Sequence, residues 1–369
     1  MAAITDRPAS VVLVGYGLAG RVFHAPLIDT TPGLLLDAIV TTDPGRRQQA
    51  AESYPNAVIY DSPEQAWASG HDLAAIATPN VTHVPFAQAA LSNGLNVVLD
   101  KPIAPTAAVA AALAELAAEK GALLVPFQNR RWDSDFLTAM RVATDGSIGT
   151  VHRYESRIER MRVTPKPGWR GSTDPADMGG MLYDLGAHAV DQALRLMGPV
   201  SEVYASVRTV RPGDGSDDDV TIMLTHESGA VSQVTVSQIG AFASPRLVLF
   251  GTLGGLRIDA SDSQEPALVS GRLPDEESWG LEPDGTAATL LQYTIESALT
   301  ETSVPLQRGD WPAFYLGVAA ALRGESAAPV LVDDVIADLR VLDAARESAS
   351  TRSVIRLDPP AGHRASATS

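Results

Sequence analysis

Two short clusters in this chain combine acidic, basic and imidazole side chains at spacings that suit acid–base chemistry. In the first cluster, Asp184 and His188 lie four residues apart in a predicted helix, so they share one helix face, which Asp191 continues. A carboxylate beside a histidine orients the ring and raises its basicity. Asp184 and His188 are therefore a candidate orienting acid and general base, although a purely structural pair on a buried helix face would show the same spacing.

The second cluster is Asp100-Lys101-Pro102, which directly follows the apolar run Asn96–Leu99. In an open α/β sheet, ligands bind beyond the carboxyl ends of the strands. A lysine at that position can reach a substrate oxygen and stabilise negative charge on it. From spacing alone, Lys101 could equally be an ordinary surface charge.

A glycine-rich turn near the start of the chain predicts the cofactor. Gly15, Gly17 and Gly20 form the motif G-Y-G-L-A-G immediately after the apolar run Val11–Val14. In such strand–turn–helix motifs, the glycines allow a sharp turn, close approach of main-chain N–H groups to a pyrophosphate, and close helix packing. The phosphates then lie at the positive end of the helix dipole. This turn predicts a dinucleotide-binding site.

The end of the second predicted strand bears on which dinucleotide binds. NAD sites place an acid there to hold the ribose 2′-hydroxyl, and Asp43 could be that acid. Asp43-Pro44 is also a good helix N-cap followed by a first-turn proline, which would commit Asp43 to the helix. Thr41, with Arg46 or Arg47, could then hold a 2′-phosphate. We favour NADP on this basis and keep NAD as the alternative.

The first 127 residues alternate short apolar runs with longer helical runs, which predicts a doubly wound parallel sheet with right-handed crossovers. The predicted strands are Val11–Val14, Leu34–Thr41, Val58–Tyr60, Leu73–Ala77, Asn96–Leu99 and Leu123–Pro126. The predicted helices are Arg21–Asp29, Pro44–Ser53, Pro63–Ala68, His83–Ser92 and Pro105–Lys120. Residues 1–127 are thus predicted to form a Rossmann domain.

The pattern changes after that point to helices and β-branched runs joined by short loops, which indicates a second, α+β domain over residues 128–358. Its predicted strands are Val151–Glu159, Val203–Val210, Val220–Thr225, Val231–Val236 and Arg246–Phe250. Its predicted helices are Ser134–Ala143, Met181–Met197, Trp311–Leu322 and Asp334–Ser348. A large, mostly antiparallel sheet of this kind needs one face covered, so we expect a homodimer or homotetramer through it. Residues 359–369 are polar and predicted to be disordered.

Composition narrows the class of protein. The 369 residues include no cysteine, which excludes disulfides, thiolate zinc sites and cysteine nucleophiles. The net charge of −16 argues against nucleic-acid binding, and no segment predicts a signal peptide or a membrane span, so we expect a cytoplasmic protein. The acidic loop over residues 213–219 lacks the ligand spacing of a calcium loop and is interpreted as a solvated hairpin loop. We predict no metal site.

Together, the glycine turn, Asp100-Lys101-Pro102 and the Asp184-x-x-x-His188 helix resemble the Gfo/Idh/MocA family of sugar and polyol oxidoreductases over nearly the whole chain. The segment Gln128–Phe136, together with Trp169-Arg170, resembles the branch that includes NADP-dependent scyllo-inositol dehydrogenases. The family's usual motif is Glu-Lys-Pro, and Asp100 here is a shorter acid of the same charge.

The resemblance implies a catalytic trio of Lys101, Asp184 and His188. His188 would be the general base, Asp184 would orient it, and Lys101 would stabilise the developing alkoxide. The predicted cofactor-binding residues are Gly15, Gly17, Leu18, Ala19, Gly20, Thr41, Thr42, Arg46, Thr78, Pro79, Asn80, His83, Asp100, Lys101 and Asn129. The predicted substrate contacts are Lys101, Asn129, Arg157, Trp169, Arg170, Tyr183, Asp184 and His188, with Arg160 a further candidate.

The predicted function is reversible hydride transfer between NADP(H), or NAD(H), and a secondary hydroxyl or ketone of a cyclic polyol or sugar such as an inositol. Two alternatives stay open: an open-chain keto-sugar or aldehyde reductase, and a non-catalytic dinucleotide-sensing module. The intact trio argues against the sensing module. A zinc-dependent alcohol dehydrogenase is disfavoured because no cysteine is available.

Overall fold

The computed structural model describes residue 4 and residues 7–164, 168–213, 215–293 and 298–358. The side chains of Trp169 and Arg170 lie outside the described part, as does the predicted disordered tail. The strands of the described part form two sheets.

The first sheet is parallel and has six strands in the order β3-β2-β1-β4-β5-β6. From β1 the chain adds β2 and β3 on one side of the sheet and then returns to add β4, β5 and β6 on the other side. The boundary between β1 and β4 is therefore the topological switch point, where such folds bind ligands. β1 is almost completely buried because helices cover both faces of the sheet, and its sequence is accordingly a continuous apolar run. The strands are β1 Ala9–Val14, β2 Leu34–Val40, β3 Val58–Tyr60, β4 Leu73–Ile76, β5 Asn96–Leu99 and β6 Leu124–Pro126.

The helices of this part connect the parallel strands. They are α1 Ala25–Asp29, α2 Pro44–Ser53, α3 Pro63–Trp67, α4 His83–Ser92 and α5 Ala107–Lys120, with a π-helical segment Ala19–His24 before α1. The alternation predicted from the sequence is confirmed. α5 begins later than predicted, because the side chain of Thr106 caps the N–H of Val109 and leaves Pro105 outside the helix.

The second sheet has nine strands in the order β14-β13-β12-β11-β7-β10-β9-β8-β15. Every neighbouring pair is antiparallel except β7 and β10, so the prediction of a mostly antiparallel sheet is confirmed. The strands are β7 Val151–Glu159, β8 Val200–Arg208, β9 Asp219–His226, β10 Val231–Ser237, β11 Leu247–Gly251, β12 Gly254–Ile258, β13 Ala287–Tyr293, β14 Leu299–Pro305 and β15 Ile355–Arg356.

Five α-helices follow β6 in the described part of the chain. They are α6 Ser134–Thr144, α7 Ala187–Met197, α8 Gln264–Val269, α9 Pro312–Leu322 and α10 Val332–Thr351, and a π-helical turn Leu182–Gly186 leads directly into α7. α10 packs against both β8 and α5, and it thereby joins the two sheets. The Asp343 carboxylate of α10 also accepts the N–H of Ala107 at the start of α5, at 2.9 Å.

Sequence reasoning missed α8 and the strands β12 to β15. β12 opens on Gly254-Gly255, a pair with low strand propensity. A Cβ on Gly254 would lie 2.1 Å from the carbonyl oxygen of Leu291, so close approach of β13 requires the glycine. α8 carries Pro266 within a six-residue helix, which removes the usual helical signal. The predicted boundary between residues 127 and 128 stays a prediction.

The acidic loop over residues 213–219 joins the antiparallel strands β8 and β9, so the predicted hairpin is confirmed, but its residues 215–219 are half-buried or buried and not solvated as predicted. The Asp218 side chain is buried, and its carboxylate accepts hydrogen bonds from Val210 and Arg211. The Asp217 carboxylate accepts the N–H of Leu182 at 2.8 Å. The loop therefore folds back onto the chain that precedes α7. No helix in the described ranges has both the length and the apolar character needed to cross a membrane.

Candidate active site

The glycine turn follows β1 and enters the π-helical segment. Gly15 has φ +100°, and a Cβ on it would lie 2.7 Å from the carbonyl oxygen of Ala77. A Cβ on Gly20 would lie 1.9 Å from the carbonyl oxygen of Gly15, so Gly20 packs the helix against the turn and does not face the cavity described next. The nearest atom to a Cβ on Gly17 is Arg46 Nη1 at 3.9 Å, so this glycine faces open space that a ligand could enter.

A cavity of about 1090 Å³ runs along the carboxyl ends of the parallel strands. Its volume is at the upper end of the range for small-molecule and cofactor sites. Most of the predicted cofactor residues line it: Gly15, Gly17, Leu18, Ala19, Thr41, Thr42, Arg46, Thr78, Pro79, Asn80, Asp100, Lys101 and Asn129. Asp184, His188 and Arg160 line it too, so the two clusters identified in the sequence share one cavity with the glycine turn.

At the end of β2, the helix cap identified in the sequence forms. The Asp43 carboxylate accepts the N–H of Arg46 at 2.8 Å, as expected of an N-cap residue. Arg47 forms an ion pair with Asp61 and lies outside the cavity lining. Arg46 lines the cavity beside Thr41, and its guanidinium has no hydrogen-bond or ion-pair partner among the described residues.

Lys101 and Asp184 form the centre of the predicted trio. The Lys101 ammonium donates to the main-chain oxygen of Asp184 at 2.5 Å and lies 3.3 Å from its Oδ1. These contacts connect the turn after β5 to the turn before α7. The neighbouring Asp100 accepts the N–H of Lys101 at 2.8 Å. Burial disfavours the charged form of Asp100, but His24, His83 and Lys101 outweigh that effect and hold its pKa below the usual range.

His188 has a different partner from the one predicted. We predicted that Asp184 orients the ring, but the partner of Nδ1 is Gln128, whose Oε1 lies 2.8 Å away. Since Gln128 Oε1 can only accept, Nδ1 carries the proton and Nε2 keeps the lone pair. We also predicted raised basicity. Burial, followed by the positive charges of Lys101, Arg130 and Arg246, instead lowers the pKa of His188 well below its usual value.

The buried ring of His83 lies outside the cavity lining, contrary to prediction. Its Nδ1 is 2.9 Å from the carbonyl oxygen of Pro102, and its Nε2 is 3.0 Å from that of Thr78. The ring therefore bridges the turns that follow β5 and β4. This is a structural position behind the cavity wall.

Two predicted substrate contacts also face other parts of the protein. The Tyr183 hydroxyl donates to the carbonyl oxygen of Pro105 at 2.8 Å and accepts from Arg346 at 2.6 Å, away from the cavity. Arg157 pairs with Glu155 of its own strand at 2.7 Å and does not line the cavity. The predictions for Trp169 and Arg170 concern side chains outside the described residues.

Asp191, which continues the helix face of Asp184 and His188, has a structural role. Arg131 donates to both of its carboxylate oxygens at 2.5–3.1 Å, and both side chains are buried. Removal of one partner from such a buried pair costs about 3–5 kcal/mol. Asp191 therefore stabilises the packing of α7 and does not line the cavity.

Sequence reasoning missed part of the cavity wall. Arg130 lines the cavity and pairs with Glu265 of α8 at 2.6 Å and with the buried Asp133 at 3.2 Å. Trp311 lines the same side and lies 6.0 Å from the Arg130 guanidinium. Gln128, the partner of His188, follows β6 by two residues, and this position at the ligand-binding edge of the sheet was the available signal for it. α8 carried no comparable signal.

A second cavity of about 320 Å³ shares Gly180 and Asp184 with the first. Its lining residues are mostly glycines and polar or charged side chains: Gly168, Gly171, Ser172, Thr209, Arg211, Pro212, Gly213, Gly215, Ser216, Asp217, Asp218 and Gln238. The Arg211 guanidinium is held by Asp218 at 2.8 Å and by Gln238 at 3.2 Å. Asp184 thus stands between a large cavity with a glycine turn and a small polar one.

Comparison with known proteins gives matches along most of the chain. A family model described as an oxidoreductase family with an NAD-binding Rossmann fold matches residues 9–127, and a model of the GFO/IDH/MocA C-terminal domain matches residues 136–257. The uncharacterized oxidoreductase YdgJ of Escherichia coli is 34% identical over 94% of this chain and 98% of its own length.

Two further matches, one to a curated relative and one to a solved structure, come from Bacillus subtilis. The scyllo-inositol 2-dehydrogenase (NADP(+)) IolW is 31% identical over 94% of this chain and 96% of its own length. The crystal structure of YvaA superposes with a TM-score of 0.89 at 29% identity, and the match covers 96% of this chain and 99% of that one. The similarity therefore extends over both sheets and the site between them.

Proposed function

This chain belongs to the Gfo/Idh/MocA family of NAD(P)-binding oxidoreductases, and from that premise we propose that it is an NADP(H)-dependent dehydrogenase of cyclic polyols or related sugars. The observation that carries the proposal is the meeting of Lys101, Asp184 and His188 in the cavity that contains the glycine turn. Oxidation of a secondary alcohol needs a hydride acceptor, a proton acceptor and a positive charge near the oxygen. His188 and Lys101 supply the proton acceptor and the positive charge, and they share one cavity with the turn that would hold the hydride acceptor.

The glycine turn fits a dinucleotide. Gly17 borders space that a side chain would fill, and it precedes the π-helical segment that starts at Ala19. Main-chain N–H groups at such a helix start bind phosphate oxygens. When bound, the nicotinamide supplies the hydride acceptor or donor, and the side chains around it handle the proton.

In the proposed mechanism, His188 Nε2 takes the proton of the substrate hydroxyl, since Nδ1–H is committed to Gln128. The lowered pKa of His188 keeps the ring neutral before the reaction, which a general base requires. The Lys101 ammonium stabilises the negative charge that develops on the substrate oxygen. Asp184 holds Lys101 through its main-chain oxygen and its carboxylate.

The preference for NADP rests on the end of β2. Asp43 is engaged in capping α2, so it is a poor ligand for the ribose 2′-hydroxyl. Arg46 presents a guanidinium to the same part of the cavity, beside Thr41 and Thr42. A guanidinium and hydroxyl groups suit a 2′-phosphate. The NADP dependence of IolW is in line with this assignment.

We propose that the substrate lies where the small polar cavity meets the cofactor cavity at Asp184, with its reacting hydroxyl on the side that Lys101 and His188 line. The carboxylate, hydroxyl and amide groups of the small cavity suit a ligand with several hydroxyls. Since Arg211 is already paired with Asp218, an uncharged polyol fits the described wall better than a phosphorylated sugar. The substrate named for IolW, scyllo-inositol, is an uncharged cyclic polyol.

We further propose that the protein is a homo-oligomer through the second sheet. Tyr204 of β8 and Met223 of β9 are cross-strand partners, and 46% and 38% of their respective surfaces are exposed on the sheet. A second copy would cover this apolar pair. Light scattering on the purified protein tests this. A dimer or tetramer that Tyr204→Glu dissociates supports it, and a monomeric wild type contradicts it.

The substrate proposal is tested with a panel of cyclic polyols, aldoses and open-chain aldehydes, each with NADP(H) and NAD(H), by the absorbance of the reduced nicotinamide. NADP⁺ reduction by a cyclic polyol is the expected result. Turnover confined to open-chain aldehydes would indicate the alternative reductase. Tight cofactor binding without turnover on any compound would favour the sensing module.

A further inference from the structure

The chain segment before α7 carries Asp184, and Asp217 of the β8–β9 loop accepts two hydrogen bonds from it. Asp217 accepts the N–H of Met181 with its main-chain oxygen at 3.0 Å and the N–H of Leu182 with its carboxylate Oδ2 at 2.8 Å. The first N–H groups of a helix have no partner within the helix. Asp217 therefore supplies partners at the point where the π-helical turn Leu182–Gly186 begins.

Gly180 makes this contact possible. It has φ +91°, and a Cβ on it would lie 2.1 Å from Asp217 Oδ1. Any larger residue would push the loop away from the turn. The N–H of Asp184 in turn donates to the carbonyl oxygen of Gly180 at 3.0 Å, so the residue that meets Asp217 also holds the main chain of Asp184.

We infer that Asp217 is a positioning residue of the active site: by fixing the chain at Met181 and Leu182, it holds Asp184 where Lys101 donates to both its main-chain oxygen and its carboxylate. Asp184 lies two residues after Leu182, within the same turn. A shift of that turn would move the main-chain oxygen that accepts from Lys101 at 2.5 Å. Small misplacements of a catalytic group lower rates steeply.

This inference rests on the proposed dehydrogenase function. The acceptor atoms of Asp217 determine which side chains can replace it. The role needs an oxygen at Oδ2 and does not need a negative charge, so asparagine should fulfil it and alanine should not. Asp219, the first residue of β9, offers a matched control two residues away. It pairs with Arg208, whose side chain is 62% exposed, and its replacement removes the same charge without touching the turn.

The first experiment compares Asp217→Ala, Asp217→Asn and Asp219→Ala in turnover on the best substrate and in NADP⁺ binding. We expect Asp217→Ala to lower kcat by about 10- to 100-fold with little change in the Kd for NADP⁺, because the displaced turn carries Asp184 and the glycine turn stays in place. Asp217 also lines the small cavity, so any change in KM is measured separately from the loss of kcat. Asp217→Asn should restore most of kcat, and Asp219→Ala should behave as wild type. Wild-type kcat in Asp217→Ala, or equal loss in the asparagine variant, would overturn the inference.

A second measurement needs no substrate. The lysines of the chain are Lys101, Lys120 and Lys166, so limited acetylation followed by mass spectrometry reports on Lys101, with the exposed Lys120 as the internal reference. Loss of the Asp184 contacts in Asp217→Ala should raise Lys101 labelling relative to Lys120. An unchanged ratio would overturn the inference even if the wild type turned over none of the polyols. If Asp217→Ala does not fold, Gly180→Ala replaces it in this experiment, because its Cβ would displace Asp217 from the turn. We then expect Gly180→Ala to raise the labelling of Lys101 relative to Lys120, and an unchanged ratio would overturn the inference.

Discussion

His188 and Gln128 are joined by a hydrogen bond of 2.8 Å between the ring Nδ1 and the side-chain Oε1, and both side chains are buried. The amide group of Gln128 also lies 3.5 Å from the carbonyl oxygen of Ala187, which fixes which end of the amide faces the ring. Gln128 therefore selects the tautomer in which Nε2 can accept a proton. This contact performs the orienting role that the sequence had suggested for Asp184.

The first prediction concerns this contact. Gln128→Leu removes the acceptor for Nδ1–H, so both tautomers of His188 become accessible and the ring loses its fixed orientation. We expect kcat to fall by about 10- to 100-fold with an unchanged Kd for NADP⁺. The matched control is Gln233→Leu on β10, at a position outside both cavities. An equal effect of both variants would refute the orienting role.

The second prediction concerns pH. The neutral form of His188 is the active base, and its fraction falls as the pH drops through its pKa. Because burial and neighbouring positive charges lower that pKa well below the usual value, the acid limb of kcat/KM for polyol oxidation should lie below about pH 6.5. A pH–rate profile in the oxidative direction measures it. An acid limb at or above the ordinary histidine value would contradict the assignment.

The third prediction concerns cofactor choice. Arg46→Ala should weaken NADP⁺ binding by about 10- to 100-fold, the loss of a charge-assisted hydrogen bond to a phosphate, and should leave NAD⁺ binding nearly unchanged. Arg47→Ala is the neighbouring control, since its guanidinium pairs with Asp61. Titration calorimetry of the wild type and both variants with NAD⁺ and NADP⁺ gives the six affinities. Equal weakening for NAD⁺ and NADP⁺ in Arg46→Ala would argue against 2′-phosphate recognition.

The fourth prediction concerns stability. Burial is the main cause that raises the pKa of Asp217 to about 6, above the ordinary carboxylate value. In the window between the two values the native state binds more protons than the unfolded state, so this group's contribution to stability falls as the pH rises. Asp217→Asn does not titrate. Its melting temperature should exceed that of the wild type at about pH 8, and the difference should shrink towards about pH 4. A constant difference would speak against a raised pKa.

The parts of the site that could be predicted from the sequence are those made by local patterns. The glycine turn at residues 15–20 and the capping of α2 by Asp43 each depend on a few consecutive residues. Lys101 was located by its place after β5, where parallel strands present their ligand-binding ends. Those predictions needed no knowledge of how the second sheet packs.

The parts that could not be predicted depend on contacts between distant segments. Asp217 meets Leu182 across 35 residues, and Gln128 meets His188 across 60. Tyr183 resembled a substrate contact because it neighbours Asp184, but it faces Pro105 and Arg346. Adjacent residues of a helix point in different directions, and only the packing of α7 decides which of them reaches the cavity.

The most direct test of the central claim compares NADP⁺-dependent oxidation of a cyclic polyol by the wild type, Lys101→Ala and His188→Ala, with NADP⁺ affinity measured in parallel. We predict that the wild type turns over and that each variant loses about 10²- to 10⁴-fold in kcat while it still binds the cofactor. Full turnover in both variants would contradict the assigned chemistry, and a wild type that binds NADP⁺ but oxidises none of the polyols would contradict the proposed function.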